Sequence, residues 1–383
     1  MLFLRIIIGC LLVVTLSGCA NLVSPSRFHE SSLAFAIWDV KQFHLRNVVD
    51  TKELEVIGHG AGSFRHYPMN VRLGNGVLLD VRGNDWMTQA AEVKPVTDLI
   101  DKAFLFYQLD ALEIDVQIPP ADHPLCKGLA EVCAFVMHDT PLWSDISEGD
   151  RAYQYLRQNT LDSVLNYVTS KGYHHNHAIY LDLKATKNCQ SVSVENPAAC
   201  TDYPQRLVPL LKKYLAMHSA KTAALEGDVE YRWLRLVSFA PMLLRTLYDA
   251  LADMDLNTNK PYRDATSFGV IAGFANDGEF PFKACLAQSK GPVPEFDSAM
   301  KQYVASELWI DRLWFSTRGF ENPVKHMSEV SAMRSALPNT SAKPLVFSVS
   351  VYDASRASYQ SKLQGFNLPL VSIMVDVDTS PQR

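Results

Sequence analysis

The chain carries little excess charge of either sign. Its 36 Lys and Arg face 41 Asp and Glu, a formal net charge of −5 over 383 residues. That balance leaves no electrostatic footprint for nucleic acid, so nucleic acid is not an expected partner. Long apolar runs are also missing: after residue 16 no segment approaches the roughly 20 apolar residues of a membrane-spanning helix. There is no internal repeat, no low-complexity tract and no Pro/Gly-rich linker, so one domain with insertions is more economical than two. No G-x-G-x-x-G turn is present, which leaves a doubly wound open sheet as the fallback only. Cysteine is scarce, at seven, and no pair has the C-x₂₋₄-C spacing of structural zinc.

What is present begins with a targeting segment. Arg5 precedes an apolar run over residues 6–16, and Leu16-Ser17-Gly18-Cys19 places small residues before a cysteine. The run is too short and wrongly flanked for an ordinary span. It resembles a bacterial lipoprotein signal, which implies cleavage before Cys19 and acylation of that residue, palmitate included. A plain secretory signal with an incidental cysteine is the alternative. Ala20 rather than Asp follows the cysteine, so the resemblance implies a cell-envelope protein anchored in the outer membrane. The expected division is residues 1–18 as signal peptide, 19–30 as tether and 31–383 as the folded domain, a monomer.

An exported chain meets oxidising conditions. Cys10 leaves with the signal, and Cys126–Cys133 and Cys189–Cys200 each fall within one loop, so two disulfides are predicted. Each should contribute about 2–3 kcal/mol. Cys285 is expected as a buried thiol. Eight strand-like runs follow at residues 55–58, 112–117, 178–184, 234–239, 268–272, 313–316, 345–351 and 371–375. Several are β-branched, as in strands buried on both faces. Helical patterns lie at 31–49 and, between the strands, at 96–107, 161–171, 204–218, 241–254, 295–308, 325–337 and 354–363. Alternation of this kind predicts an α/β fold, specifically a (β/α)8 TIM barrel with loop insertions. The segment 115–139 is expected as a hairpin-like loop after the second strand, outside the barrel count.

The chemistry concentrates in residues 109–139. Glu113 and Asp115 stand two positions apart in the apolar run Leu112-Glu113-Ile114-Asp115-Val116, so both point to one side of a strand. Two buried like charges are costly unless a cation or a proton sits between them. Phe135-Val136-Met137 then ends in His138-Asp139. Upstream, Glu55-Val56-Ile57-Gly58 ends in His59-Gly60; downstream, Ala178-Ile179-Tyr180-Leu181 ends in Asp182-Leu183-Lys184.

In this order the pieces resemble the glycerophosphodiester phosphodiesterase family and the wider phospholipase-C-like phosphodiesterases. That pattern is a strand ending His-Arg-Gly, a strand Glu-x-Asp, then His-Asp, then a strand Glu-x-Lys; the match runs over residues 55–383. Here Gly60 stands in place of the Arg, and Asp182 in place of the second Glu. The resemblance implies a metal-dependent hydrolase acting on a phosphodiester, either a small glycerophosphodiester or a phospholipid headgroup. Glu113, Asp115 and Asp182 would hold Mg²⁺ or Ca²⁺, cations that favour oxygen ligands. His59 and His138 would be the base and acid, and Lys184 would meet the phosphoryl oxygens. The spider-type sphingomyelinase D toxins are similar in their His, Glu-x-Asp, His and Asp set and in a cysteine-bridged loop, which keeps lysophospholipid and sphingolipid substrates open.

Other readings stand beside these. Asp182 and Lys184 alone would make a structural ion pair. His174-His175-Asn176-His177 reads as a solvated loop. Trp309, Trp314, Phe315 and Phe320 would line a lipid pocket or pack the core. A non-catalytic binding lipoprotein on a decayed barrel is the second function class. A glycosidase with paired carboxylates is the third, but it leaves both histidines without a role.

Overall fold

The computed structural model describes residues 55–59, 96–106, 109–129, 132–136, 146, 148, 151–184, 202–222, 232–272, 298–316, 323–338, 345–351 and 370–376. Over these the chain is a mixed α/β fold built on a mostly parallel sheet. Its strands are β1 (Glu55–His59), β2 (Ala111–Gln117), β3 (Phe135–Val136), β4 (Ala178–Leu183), β5 (Leu234–Ser238), β6 (Met254–Asp255), β7 (Lys260–Pro261), β8 (Ser267–Ala272), β9 (Arg312–Ser316), β10 (Val346–Val351) and β11 (Leu370–Asp376). The order β1-β11-β10-β9-β8-β5-β4-β2 is parallel throughout, and β1 also pairs with β2 in parallel, Ile57 with Ala111 and His59 with Glu113. All eight sequence-expected strands are found, each within two residues of its expected bounds.

Period-2 alternation explains why these strands carry two separate cores. On one face Leu112, Ile114, Val116, Ile179, Leu181, Leu183, Leu234, Leu236, Phe268 and Val270 join the large cluster that the helices cover. On the other face Ala111, Ala178, Tyr180, Val237 and Trp314 form a small cluster of their own. Strands buried on both faces need helices on one side and large or polar side chains filling the other.

The covering helices are α1 (Val96–Asp101), α2 (Arg151–Gln158), α3 (Leu161–Ser170), α4 (Asp202–Thr222), α5 (Pro241–Ala250), α6 (Ser298–Ser306) and α7 (Pro323–Ser335). In α3, Leu161, Val164, Leu165 and Val168 recur at helical spacing and are buried. Fully burying each such side chain contributes about 1.5–3 kcal/mol. Thr160 caps that helix by accepting from Ser163 N at 3.1 Å. Just past its last turn, Gly172 turns the chain at φ 74°. Among the described residues no helix is long and apolar enough to cross a membrane.

Several expectations need correction. The helix expected over 241–254 stops at Ala250, and Met254 instead enters a two-stranded antiparallel ribbon, β6 with β7. Asp255 carries that turn: its Oδ1 accepts from Asn257 N at 3.0 Å, and its Oδ2 from the Thr258 hydroxyl at 3.0 Å. Helix α2 had no counterpart in the sequence reading. Residues 174–177 are not simply solvated: His174 is buried with its ring 5.7 Å from that of Trp233, and His177 stacks on Phe104 at 4.3 Å while donating through Nδ1 to Leu109 O at 2.9 Å. Of the two readings of Trp314 and Phe315, core packing is the one found: both are buried. The expected helices at 31–49 and 354–363, the Cys189–Cys200 pair and Cys285 lie outside the described residues.

Candidate active site

Register assembles the site. Strands β2 and β4 are parallel neighbours with Ala111 opposite Ala178, Glu113 opposite Tyr180, and Asp115 opposite Asp182. The inner face of β2 therefore shows Glu113 and then Asp115; that of β4 shows Tyr180, Asp182 and, just past the strand, Lys184. Both acids of the Glu-x-Asp run and the acid of the Asp-x-Lys run meet on adjacent strands, Asp115 and Asp182 toward the C-terminal ends. One carboxylate oxygen from each of Glu113, Asp115 and Asp182 lies within 4.8 Å of the others. Each of the three residues is 3% exposed.

Lys184 closes the group. Its ammonium pairs with Asp115 Oδ1 and with Asp182 Oδ2, and it is itself 9% exposed. Burial alone would depress this ammonium. The carboxylates of Asp115, Asp182 and Glu113 outweigh that penalty and hold it well above the ordinary lysine value, so it is charged. Its Nζ also stands 5.5 Å from the Phe239 ring centroid, at the end of β5. The ion pair expected between Asp182 and Lys184 is present, with Asp115 as a second partner.

The other sequence-predicted residues are placed less completely. His59 ends β1 and is the register partner of Glu113 on one side and of Asp376 on the other. It stands in the row of the acid cluster by backbone position. His138 and Asp139 lie outside the described residues. Residues 118–129 leave β2, the Cys126–Cys133 disulfide ties them to residues 132–134, and these lead into β3, antiparallel to the end of β2. This is the hairpin-like excursion expected from the sequence. Arg157 Nη1 donates to Leu125 O at 3.1 Å and to Lys127 O at 3.0 Å, and Arg206 Nη2 donates to Pro119 O at 2.5 Å. The loop is thereby tied to α2 and to α4.

One set of inner-face residues escaped the sequence reading. Arg235 and Arg312 are 7% and 5% exposed. Their guanidinium carbons stand 5.0 and 5.2 Å from the centroid of Tyr180, which lies between them. Arg235 Nη1 donates to the Tyr180 hydroxyl, and Arg312 Nη1 donates to Ser348 Oγ at 2.7 Å. The signal was available: Arg235 in Leu234-Arg235-Leu236-Val237 and Arg312 before Leu313-Trp314-Phe315 are charges inside apolar runs, the same pattern that singled out Glu113.

Neither a family model nor a curated protein matches the sequence. The functional reading therefore rests on the site's own chemistry.

Proposed function

We propose that the chain is a metal-dependent phosphodiesterase of the glycerophosphodiester phosphodiesterase type, on a (β/α)8 barrel. The pairing of β1 with both β11 and β2 supports the barrel. Such barrels carry their sites at the C-terminal strand ends, toward which Asp115 and Asp182 stand. The observation that carries the function is the convergence of three buried carboxylates within 4.8 Å around a lysine ammonium. An oxygen-only donor set of this kind fits Mg²⁺ or Ca²⁺. Such a cation, when bound, supplies Lewis-acid stabilisation of charge on the phosphoryl oxygens.

The chain's own residues do the rest. Lys184 donates to a non-bridging phosphoryl oxygen. His59 takes the proton from the attacking hydroxyl, either a neighbouring alcohol of the substrate or water, as its oxygen bonds to phosphorus. The opposite P–O bond breaks, and His138 delivers a proton to the leaving oxygen. An attacking substrate alcohol yields a cyclic phosphate; water yields a monoester. The lipoprotein-like signal supports anchorage of the enzyme by an acylated Cys19 in the envelope, beside phospholipid headgroups.

The test is turnover of glycerophosphodiesters, lysophospholipids and sphingomyelin by the full chain in detergent, with Mg²⁺ or Ca²⁺, with chelator, and with His59→Ala. Turnover should vanish on chelation and fall about 100-fold or more in the variant, as for loss of a general base. No hydrolysis of any of these substrates by folded protein with metal present would sink the proposal.

A further inference from the structure

The charge count of the strands' inner face points beyond that reading while resting on it. Among the described residues this face buries three carboxylates, Glu113, Asp115 and Asp182, and three cations, Lys184, Arg235 and Arg312. Arg232 and Asp311 also pair at its lower end, at 2.8 Å, and cancel. The described buried side chains of this face therefore balance before any ion enters. A divalent cation added to the carboxylates shifts that balance by two positive charges, which a low-dielectric interior disfavours unless an anion follows.

The second observation is where the lysine sits. Its ammonium bridges Asp115 and Asp182, two of the three residues whose oxygens would hold the metal. Ammonium and metal compete for the same carboxylate oxygens. The arginines are not placed to move: each is engaged in the layer of Tyr180 and Ser348. Lys184 is the one cation of the three at the strand ends, on a four-carbon stem with rotatable donors.

We propose that Lys184 is the resident cation of the site, and that a divalent metal and an anionic phosphate ester enter it together. Glu113, Asp115 and Asp182 would hold the metal, and Lys184, released from Asp115 and Asp182, would pair with the anion. Metal and substrate binding are then positively coupled, each tightening the other by the same factor. Without the anion the site holds metal weakly, because two ion pairs must be broken and nothing receives the lysine. The ammonium thus has two positions: between Asp115 and Asp182 at rest, and on a phosphoryl oxygen in the loaded site.

The experiment is calorimetric titration of MgCl₂ and of CaCl₂ into the full chain in detergent micelles, with and without glycerol 3-phosphate as the anion probe, for the native chain and for K184M. Native protein should bind Mg²⁺ weakly alone and about tenfold more tightly with the probe, within the usual range for coupled sites. K184M should bind Mg²⁺ more tightly than native protein without the probe, and the probe should change its affinity far less. Equal Mg²⁺ affinity in both proteins with no effect of the probe would overturn the coupling yet leave the metal-dependent enzyme standing. Absence of divalent binding in both folded proteins would overturn the enzyme reading as well. Should K184M fail to fold, the native titrations decide alone: tightening by the probe supports the coupling and its absence overturns it.

Discussion

At the residue scale the inner face is crowded, and the crowding is testable at Gly269. A Cβ there would lie 2.9 Å from Val237 Cγ1 and 3.3 Å from Arg312 Cβ. Gly269→Ala should therefore destabilise the protein by about 1–3 kcal/mol, as overpacked cores do, read as a lower urea midpoint with unchanged slope. Lys184 gives a pH prediction. Its folded value is raised above the ordinary 10.5. A raised value means that its stabilisation is fully present below the unfolded lysine range and is lost only as pH climbs through the still higher folded one. The stability gap between native protein and K184M should thus be the same at pH 7 and pH 9; a gap that shrinks by pH 9 would contradict the geometry. Which of these residues a sequence reveals depends on distance along the chain. Glu113 and Asp115 announce themselves because acids inside an apolar run need a reason. The bridge from Lys184 to Asp115 does not, since it depends on β2 and β4 aligning Asp115 with Asp182 across 67 positions.

At the element scale the strands and six of the helices between them were legible, while the ribbon of β6 and β7 and helix α2 were not. Eight parallel strands leave eight apolar runs, a signal that tertiary contacts reinforce. The ribbon of β6 and β7 follows from the local turn made by Asp255, which overrides the helical periodicity of residues 241–254. Helix α2 was hidden because much of it is polar, with Leu156 its fully buried anchor. Yet α2 matters to the site through Arg157, whose guanidinium grips the loop between β2 and β3. That loop leads to His138, whereas the carboxylates stand on β2 and β4 themselves. Arg157→Ala, or the double change Cys126→Ser with Cys133→Ser, should therefore separate two readouts. Phosphodiester turnover should drop several-fold, while Mg²⁺ affinity in the calorimeter stays within about twofold of native. The cysteine variant should in addition lose about 2–3 kcal/mol of stability, the expected worth of a small closed loop. Parallel loss of metal affinity in both variants would place the loop in the metal site and not beside it.

At the scale of the whole molecule the sheet's inner face behaves as one charged unit. Structural metal sites that concentrate like charges leave their chains unfolded without the ion. Here Lys184 pairs with Asp115 and Asp182, and Arg235 and Arg312 bury two further positive charges on the same face, so the chain is expected to fold without a cation. Removing one of the three positive charges should reverse that independence. The native chain treated with chelator should keep its far-ultraviolet circular dichroism and a cooperative melt, with Tm close to that of the Mg²⁺-loaded protein. Arg235→Met loses a buried charge and the donor to Tyr180, which costs about 1–3 kcal/mol for the orphaned hydrogen-bond partner. It also leaves the interior with an excess negative charge, which a bound divalent cation relieves. Its Tm should therefore fall in chelator and recover markedly with millimolar Mg²⁺, a recovery the native chain does not show. A native chain that unfolds on chelation would mean that the described residues do not balance their own charge, and that the ion is part of the fold. An Arg235→Met protein whose loss is indifferent to Mg²⁺ would mean that Arg235 acts by packing on Tyr180 and not through the field it sets across the carboxylates.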